Sequence, residues 1–285
     1  MPSLDNIDFN KKFLSHRLRG YGTYEHTPQA LEKACQGNAH YLEIDVRSSK
    51  NGRLFVYHNS SAGKDLDQKF KFSATESTLI DKYTFKTGEH LLKYEDAIAI
   101  FKKKSRPFQK LCIDIKDAGY EEQYLKCIKD NDLEDRIVFV SWIPQTLLKL
   151  NKLNASSPLI LSHWNLFKMR TAGYLITEHF RNTLTNIGRY VVIGYERSNA
   201  DLNEYEVGYQ HVILLRELPD DILNILRINQ GGICIPHQLL CEAVETYCEK
   251  NQLKLWIYSV KRKEKFIKYA KNSYIDVIFC DKIFY

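Results

Sequence analysis

The sequence predicts an α/β protein of the (β/α)8 TIM-barrel class, and three observations support this prediction. Short apolar runs that fit β-strands alternate with helix-like segments along the 285 residues, which is typical of parallel βαβ units. A closed barrel fits this length better than an open sheet does. One pair of runs is joined by a turn too short for a crossover helix, so this pair adds a hairpin to the barrel.

Nine runs are strand candidates, and most of the segments between them are helix candidates. The turn Lys50, Asn51 and Gly52 lets the third run fold back as a small hairpin excursion after the second strand, which leaves eight barrel strands. The strand candidates are 13–17, 41–47, 54–59, 110–116, 136–142, 158–164, 231–237, 253–260 and 274–281. The helix candidates are 27–36, 93–104, 119–131, 144–153, 238–250 and 261–271.

The organisation of the chain indicates one domain. Neither an internal repeat nor a low-complexity tract or Gly/Ser-rich linker divides residues 1–285, which we interpret as a single TIM-barrel domain. The segment 165–230 is long for one connection and contains further apolar runs. It contains either an insertion or a strand that belongs to the barrel.

Composition and charge exclude several classes of function. The net charge is +6, but basic residues are scattered among acidic ones, so a nucleic-acid partner is not indicated. The seven cysteines form no C-x-x-C pair, which argues against a disulfide framework or a zinc site. Neither a signal peptide nor an apolar run of transmembrane length is seen. We therefore expect a cytoplasmic protein, and leave open its oligomeric state and any contact with a lipid or membrane surface.

Acidic residues occupy the inner face of two predicted strands. A strand alternates its faces, so the apolar residues of 41–47 face the helices while Glu43 and Asp45 face the barrel interior. The run 110–116 places Asp114 in the same way. All three acids then converge on the C-terminal mouth, where barrel active sites lie. The alternative is that these are surface strands whose acids face water.

Three carboxylates at one place indicate a metal site. Crowded carboxylates repel one another and raise one another's pKa, and a divalent cation removes this repulsion. A ligand set made only of oxygen suits Mg²⁺ or Ca²⁺ better than Zn²⁺. We therefore expect one divalent cation, Mg²⁺ or Ca²⁺, at Glu43, Asp45 and Asp114.

Two histidines and two basic residues fit the same mouth. His16 ends the first strand and precedes Arg17, and His58 closes the hairpin arm. A metal site between two imidazoles suits general acid/base cleavage of a phosphate ester. Arg17 and Lys116 would neutralise the phosphoryl oxygens. The alternative for each histidine is a hydrogen-bonded core or surface residue.

Several short motifs occur in the order and at the spacing known from one enzyme family. These are HRLRGYGTYEHT at 16–27, EIDV at 43–46, NGR at 51–53, VYHN at 56–59 and DIK at 114–116, followed by FVSW, LKLWIYSV and DVIFCDKIF. In this series the chain resembles the glycerophosphodiester phosphodiesterase family, as a divergent member. The resemblance covers nearly the whole chain and is weakest from 165 to 230.

The resemblance implies a metal-dependent phosphoric diester hydrolase with a TIM barrel. Such an enzyme of lipid metabolism cleaves a glycerophosphodiester into an alcohol and glycerol phosphate through a cyclic phosphate. Carried over by motif, the family's roles are His16 and His58 for acid/base catalysis, Arg17 and Lys116 for the phosphate, Glu25 as a supporting acid, and Glu43, Asp45 and Asp114 for the metal.

The chain departs from the family pattern at four positions. Leu18 replaces the Gly of H-R-G, Tyr24 stands where the family has Pro, Asn59 replaces the Asp after the second histidine, and Asp114 replaces Glu. Two other functions therefore stay open. One is a lysophospholipase D-like or sphingomyelinase D-like phosphodiesterase, and the other is a non-catalytic module that binds a phosphorylated ligand. A phosphatidylinositol-type phospholipase C fits the motif order less well.

Overall fold

A parallel β-barrel forms the centre of the computed structural model, which describes residues 9–162, 164–166, 213–215 and 218–284. The barrel strands are β1 Phe13–Ser15, β2 Tyr41–Ser48, β6 Lys110–Ile115, β7 Ile137–Ser141, β8 Leu159–Ser162, β11 Gly232–Pro236, β12 Lys254–Val260 and β13 Val277–Cys280. They follow one another in space in this order, and β1 pairs in parallel with both β2 and β13, which closes the sheet. The prediction of a (β/α)8 TIM barrel is confirmed.

The helices in the described ranges are α1 Pro28–Gln36, α2 Ser77–Ile80, α3 Tyr94–Lys104, α4 Glu121–Lys129, α5 Pro144–Lys152, α6 Asp220–Ile228, α7 Glu242–Lys250 and α8 Lys263–Ala270. All of them except α2 pack against the outside of the barrel, whereas Ile80 of α2 packs in a separate small cluster. All six predicted helices are present with small shifts at their ends. The α1 helix starts with a proline at its first position, and the hydroxyl of the preceding Thr27 accepts a hydrogen bond from the backbone N–H of Ala30 at 3.2 Å.

The predicted hairpin excursion lies between β2 and α3. Its second arm, β3 (Leu54–Val56), pairs antiparallel with the end of β2. The short strands β4 (Ser61–Ala62) and β5 (Phe70–Lys71) pair with each other before α2 begins. Their side chains pack around a small separate hydrophobic cluster that includes Phe55, Tyr57, Phe72 and Phe85. The second arm ends earlier than the predicted 54–59, so His58 lies in the loop beyond it.

Alternation along the strands divides the core into two layers, as the sequence predicts. The outward residues, such as Leu42 and Ile44 of β2, pack against the helices. Glu43 and Asp45 point to the other side, and the parallel register of β2 with β6 places Asp45 beside Asp114. The interior layer below the acids contains Leu14, Cys112, Val138, Val140, Ile160, Cys234, Trp256, Tyr258, Val277 and Phe279.

The segment 165–230 is described only in part. The strands β9 (Trp164–Leu166) and β10 (Ile213–Leu215) form a separate parallel pair, and α6 follows. Residues 167–212 and 216–217 lie outside the described ranges. The eight barrel strands come from other parts of the chain, and an insertion here stays a prediction, as does the single domain. Within the described ranges, no helix combines the length and apolar character needed to cross a bilayer.

Candidate active site

Three buried carboxylates meet at the C-terminal mouth of the barrel. Glu43, Asp45 and Asp114 each place one carboxylate oxygen within 4.8 Å of the other two. All three side chains are buried. The alternation of β2 and its register with β6 produce this arrangement, so the convergence of the three acids expected from the sequence is found.

This cluster has the donor set of a divalent-cation site. Within the described part of the chain, the buried oxygens Glu43 Oε1 and Asp114 Oδ1 accept no hydrogen bond. Burial raises the pKa of Glu43 well above its usual value, and the charges of Asp45 and Asp114 raise it further. Buried carboxylates without partners are costly, and a cation bound by oxygen ligands would offset that cost. The residues therefore fit a hard cation such as Mg²⁺ or Ca²⁺.

Lys116 lies directly against the acids. Its Nζ is 2.7 Å from Asp45 Oδ1 and 2.5 Å from Asp114 Oδ2. Burial alone would lower the pKa of Lys116, but the charges of Asp114, Asp45 and Glu43 raise it above its ordinary value. The ammonium group therefore balances part of the charge of the cluster. Contact of Lys116 with a substrate phosphate stays a prediction.

A cavity that is partly open to solvent lies at the mouth. Both histidines predicted to be catalytic line it, together with the two basic residues predicted to contact the phosphate. The cavity therefore brings the predicted acid/base pair and the acidic cluster to one place. Its lining consists of His16, Arg17, His58, Asp114, Lys116, Ser162, Cys234, Tyr258, Ser259 and Phe279.

His16 is hydrogen-bonded to a carboxylate. Its Nδ1 lies 2.6 Å from Oδ1 of Asp281, which directly follows β13. Burial and, to a smaller extent, the charge of Arg17 lower the pKa of His16 to about 4, although the hydrogen bond and charge of Asp281 oppose the shift. The imidazole is therefore neutral at pH 7, with its Nδ1–H donated to the carboxylate.

His58 is held differently. Its Nδ1 lies 2.8 Å from Oδ1 of Asn59, and its backbone carbonyl accepts a hydrogen bond from Nε of Arg47 at 3.0 Å. Burial lowers the pKa of His58 well below its usual value, although the charge of Asp45 opposes this. The side-chain partner of this imidazole is thus a neutral amide, as the replacement of Asp by Asn59 predicts.

Arg17 joins the first loop to the acidic cluster. Its backbone N–H donates to Glu43 Oε2 at 2.7 Å, and its Nε lies 3.3 Å from Asp45 Oδ2. Glu25 lies between two arginines, because Arg17 Nη1 is 3.6 Å from Oε2 and Arg19 Nε is 2.5 Å from Oε1. Glu25 therefore supports the loop through ion pairs.

Leu18 occupies the position of the family's glycine. Its φ is +56°, a left-handed conformation that costs a side chain about 1–2 kcal/mol. The Leu18 side chain is fully buried in the core between barrel and helices, and it is not among the described residues that line the cavity. Burial of the leucine offsets the backbone strain, and the side chain does not crowd the mouth.

Sequence reasoning missed several residues around the site. His26 is buried and its Nε2 lies 2.7 Å from Asp45 Oδ2, so it contacts a predicted metal ligand. The position of His26 beside Glu25, within a motif shared with the family, could have identified it as a site residue. Asp281 could have been identified in the same way, because it lies in the motif at the end of the last strand. The missed residues are Arg19, His26, Arg47, Asp117 and Asp281.

A TIM barrel whose mouth combines a buried carboxylate cluster, two imidazoles and cationic side chains is suited to a phosphoric diester hydrolase. The sequence profile of the Glycerophosphoryl diester phosphodiesterase family matches residues 14–166, which is just over half of the chain. The chain belongs to this family of phosphoric diester hydrolases. Comparison of the sequence with curated proteins found no match.

Solved structures of the same fold resemble the chain at low sequence identity. A putative glycerophosphoryl diester phosphodiesterase from Agrobacterium tumefaciens has a TM-score of 0.65 at 12% identity, covering 95% of this chain and 94% of that one. A putative glycerophosphodiester phosphodiesterase from Galdieria sulphuraria has a TM-score of 0.65 at 14% identity, covering 95% and 93%. An Oleispira antarctica phosphodiesterase, solved with its product sn-glycerol-3-phosphate, has a TM-score of 0.61 at 14% identity, covering 95% and 92%. At these low identities, the structural similarity supports the TIM-barrel fold of this chain.

Proposed function

We propose that the protein hydrolyses a glycerophosphodiester to an alcohol and glycerol phosphate, with a divalent cation bound at the acidic cluster. The observation that carries this proposal is the shared cavity, in which His16, His58 and Lys116 lie beside the carboxylate of Asp114. The family match supports the substrate class, and the Oleispira relative was solved with sn-glycerol-3-phosphate as its product.

The cation would be held by Glu43, Asp45 and Asp114, and when bound it supplies positive charge that stabilises the phosphoryl oxygens. Arg17 and Lys116 line the same cavity and would add charge and hydrogen-bond donors on the phosphate. Glu25 keeps Arg17 oriented, since the two side chains form an ion pair. The choice between Mg²⁺ and Ca²⁺ stays open.

The two imidazoles would move the protons of a two-step hydrolysis. One accepts the proton of a glycerol hydroxyl while the oxygen of that hydroxyl attacks phosphorus, and the other protonates the alcohol oxygen as its bond to phosphorus breaks. The products of this step are the free alcohol and a cyclic phosphate. In the second step water opens the ring, and the two imidazoles exchange roles.

Release of free alcohol from a substrate panel tests the proposal. The panel contains glycerophosphocholine, glycerophosphoethanolamine, glycerophosphoinositol and lysophosphatidylcholine, each assayed with Mg²⁺, with Ca²⁺ or with chelator. We expect metal-dependent turnover that His16→Ala abolishes and that His40→Gln, at the opposite end of β2, leaves unchanged. Turnover of lysophosphatidylcholine alone would indicate the lysophospholipase D-like alternative. Absence of turnover with metal still bound would indicate the non-catalytic binding module.

A further inference from the structure

The two cavity histidines differ in the charge of the group that holds them. The imidazole of His16 donates to the carboxylate of Asp281 at 2.6 Å, whereas that of His58 donates to the amide oxygen of Asn59 at 2.8 Å. Both acceptors fix the same tautomer, with the proton on Nδ1 and Nε2 as the acceptor nitrogen. Only the carboxylate also stabilises the positive charge that forms when Nε2 takes up a proton.

Asp281 is itself fixed on its other side. Arg19 Nη1 lies 2.6 Å from the same oxygen, Asp281 Oδ1, that accepts the His16 hydrogen bond. Burial alone would raise the pKa of Asp281, but the hydrogen bond and charge of His16 and the charge of Arg19 lower it to about 2. The carboxylate is therefore ionised at neutral pH, and its position is set by two partners.

We propose that Asp281, clamped by Arg19, is a positioning residue that holds His16 as the general base of the first step, while His58 is the general acid. This inference rests on the proposed function. The proton of the attacking hydroxyl passes to His16 Nε2 as its oxygen bonds to phosphorus. The bond from phosphorus to the alcohol oxygen breaks, and that oxygen takes a proton from Nε2 of His58, which has bound this proton from water before the step.

The charges of the two partners support this division of roles. A base works best when its protonated form is stabilised, and the carboxylate of Asp281 does this for His16. An acid works best when it gives up its proton readily, and the neutral amide of Asn59 does little to retain a proton on His58. The asymmetry between the partners therefore matches the asymmetry of the first step.

The leaving group separates the two roles experimentally. Glycerophosphocholine releases an alcohol whose oxygen needs a proton, whereas a glycerol p-nitrophenyl phosphodiester releases a stable phenolate that needs none. On both substrates we expect Asp281→Asn to lower kcat by about 10²–10⁴-fold with KM nearly unchanged, because an amide can stabilise the wrong tautomer of His16. We expect His58→Ala to lose activity on glycerophosphocholine but to release p-nitrophenolate in the first turnover of the aryl ester nearly as fast as the wild type, while opening of the cyclic phosphate stays slow because the second step still needs His58.

Two further variants complete the test. Asp281→Glu keeps the charge and should recover part of the lost kcat. Asn59→Asp gives His58 a carboxylate and should slow glycerophosphocholine turnover while sparing the p-nitrophenyl ester. Thermal unfolding checks that each variant is folded at the assay temperature.

Two results for Asp281→Asn would overturn the proposal. A loss of kcat confined to glycerophosphocholine would make His16 the general acid, and an unchanged kcat on both substrates would remove the positioning role of Asp281.

A spectroscopic readout keeps this inference separate from the proposed function. The ¹⁵N NMR signals of the His16 ring report which nitrogen carries the proton, whether or not a substrate is turned over. We expect Nδ1–H in the wild type and a shift towards Nε2–H in Asp281→Asn. The same tautomer in both proteins would overturn the positioning role of Asp281. An inactive wild type with the expected NMR shift would instead contradict the proposed function and leave the positioning role supported.

Discussion

The two sides of the cavity hold their histidines in different ways. On the first side, the ring of His16 is hydrogen-bonded to Asp281, and Asp281 in turn is held by Arg19 from the loop after β1. On the second side, the backbone of His58 is held by Arg47, whose Nη1 donates to Asp117 Oδ1 at 2.8 Å. The first support orients the imidazole of His16, whereas the second fixes the backbone at His58.

The exposure of the two supports also differs. The side chains of Arg19 and Asp281 on the first side are 23% and 7% exposed, whereas those of Arg47 and Asp117 are 1% and 5% exposed. Partly exposed ion pairs contribute little to stability, but removing one partner of a buried pair leaves an uncompensated charge. We therefore expect loss of the second support to lower the free energy of unfolding more than loss of the first support does.

The largest effect is expected for Arg47→Met, which leaves the buried carboxylate of Asp117 without its cation. We expect the free energy of unfolding to fall by about 3–5 kcal/mol in urea denaturation. Arg19→Met, the matched change on the first side, should cost about 1 kcal/mol or less. The double variant Arg47→Met/Asp117→Asn should recover part of the loss, since the buried charge is gone. Equal costs for the two arginines would contradict the comparison.

His26 tests whether the first side also controls the metal site. Its Nε2 lies 2.7 Å from Oδ2 of the predicted ligand Asp45, and groups that orient a ligand typically change metal affinity by about 10–100-fold. We therefore expect His26→Phe to weaken Mn²⁺ binding by this factor in calorimetric titration. His40→Phe, at the other end of β2, is the control and should bind Mn²⁺ as the wild type does. Unchanged affinity in His26→Phe would show that Asp45 needs no such partner.

The sequence predicts the positions of those site residues whose direction follows from the alternation of side chains along a strand. Period-two patterning alone assigns Glu43, Asp45 and Asp114 to the inner face, and the barrel then brings them together. The hairpin is equally predictable, because a turn at Gly52 leaves no room for a helix. Local pattern is sufficient wherever a regular element determines the direction of the side chain.

The supports of the two histidines could not be predicted in the same way. Arg47 and Asp117 are 70 residues apart in sequence, and their contact depends on how the loop after β6 folds back over β2. On the first side, the loop adopts left-handed backbone conformations at Arg17, Leu18 and His26. None of these residues is a glycine, so the sequence gives no signal for these conformations. Loop geometry, and not residue pattern, places these partners.

Acid should weaken the first side through Asp281. Because the pKa of Asp281 is lowered to about 2 in the folded protein by His16 and Arg19, against the effect of burial, its ionised form contributes stability above its unfolded pKa of about 4. This contribution, on the order of 2 kcal/mol, is lost as the pH falls from about 4 to about 2. In urea denaturation, the difference in free energy of unfolding between the wild type and Asp281→Asn should therefore shrink across that window. A constant difference would show that the ionised carboxylate is not stabilised by its partners.

The smallest effect is expected where the first loop joins α1. Thr27 follows His26 directly, and its hydroxyl caps α1 by accepting the backbone N–H of Ala30. We expect Thr27→Ala to lower the free energy of unfolding by about 1 kcal/mol, whereas Thr23→Ala, an exposed threonine of the same loop, should change it by less than about 0.5 kcal/mol. Mn²⁺ affinity should stay unchanged in both variants if the contact of His26 with Asp45 is what couples the loop to the metal site. Weaker Mn²⁺ binding in Thr27→Ala would instead show that the end of the loop must be anchored for that contact to form.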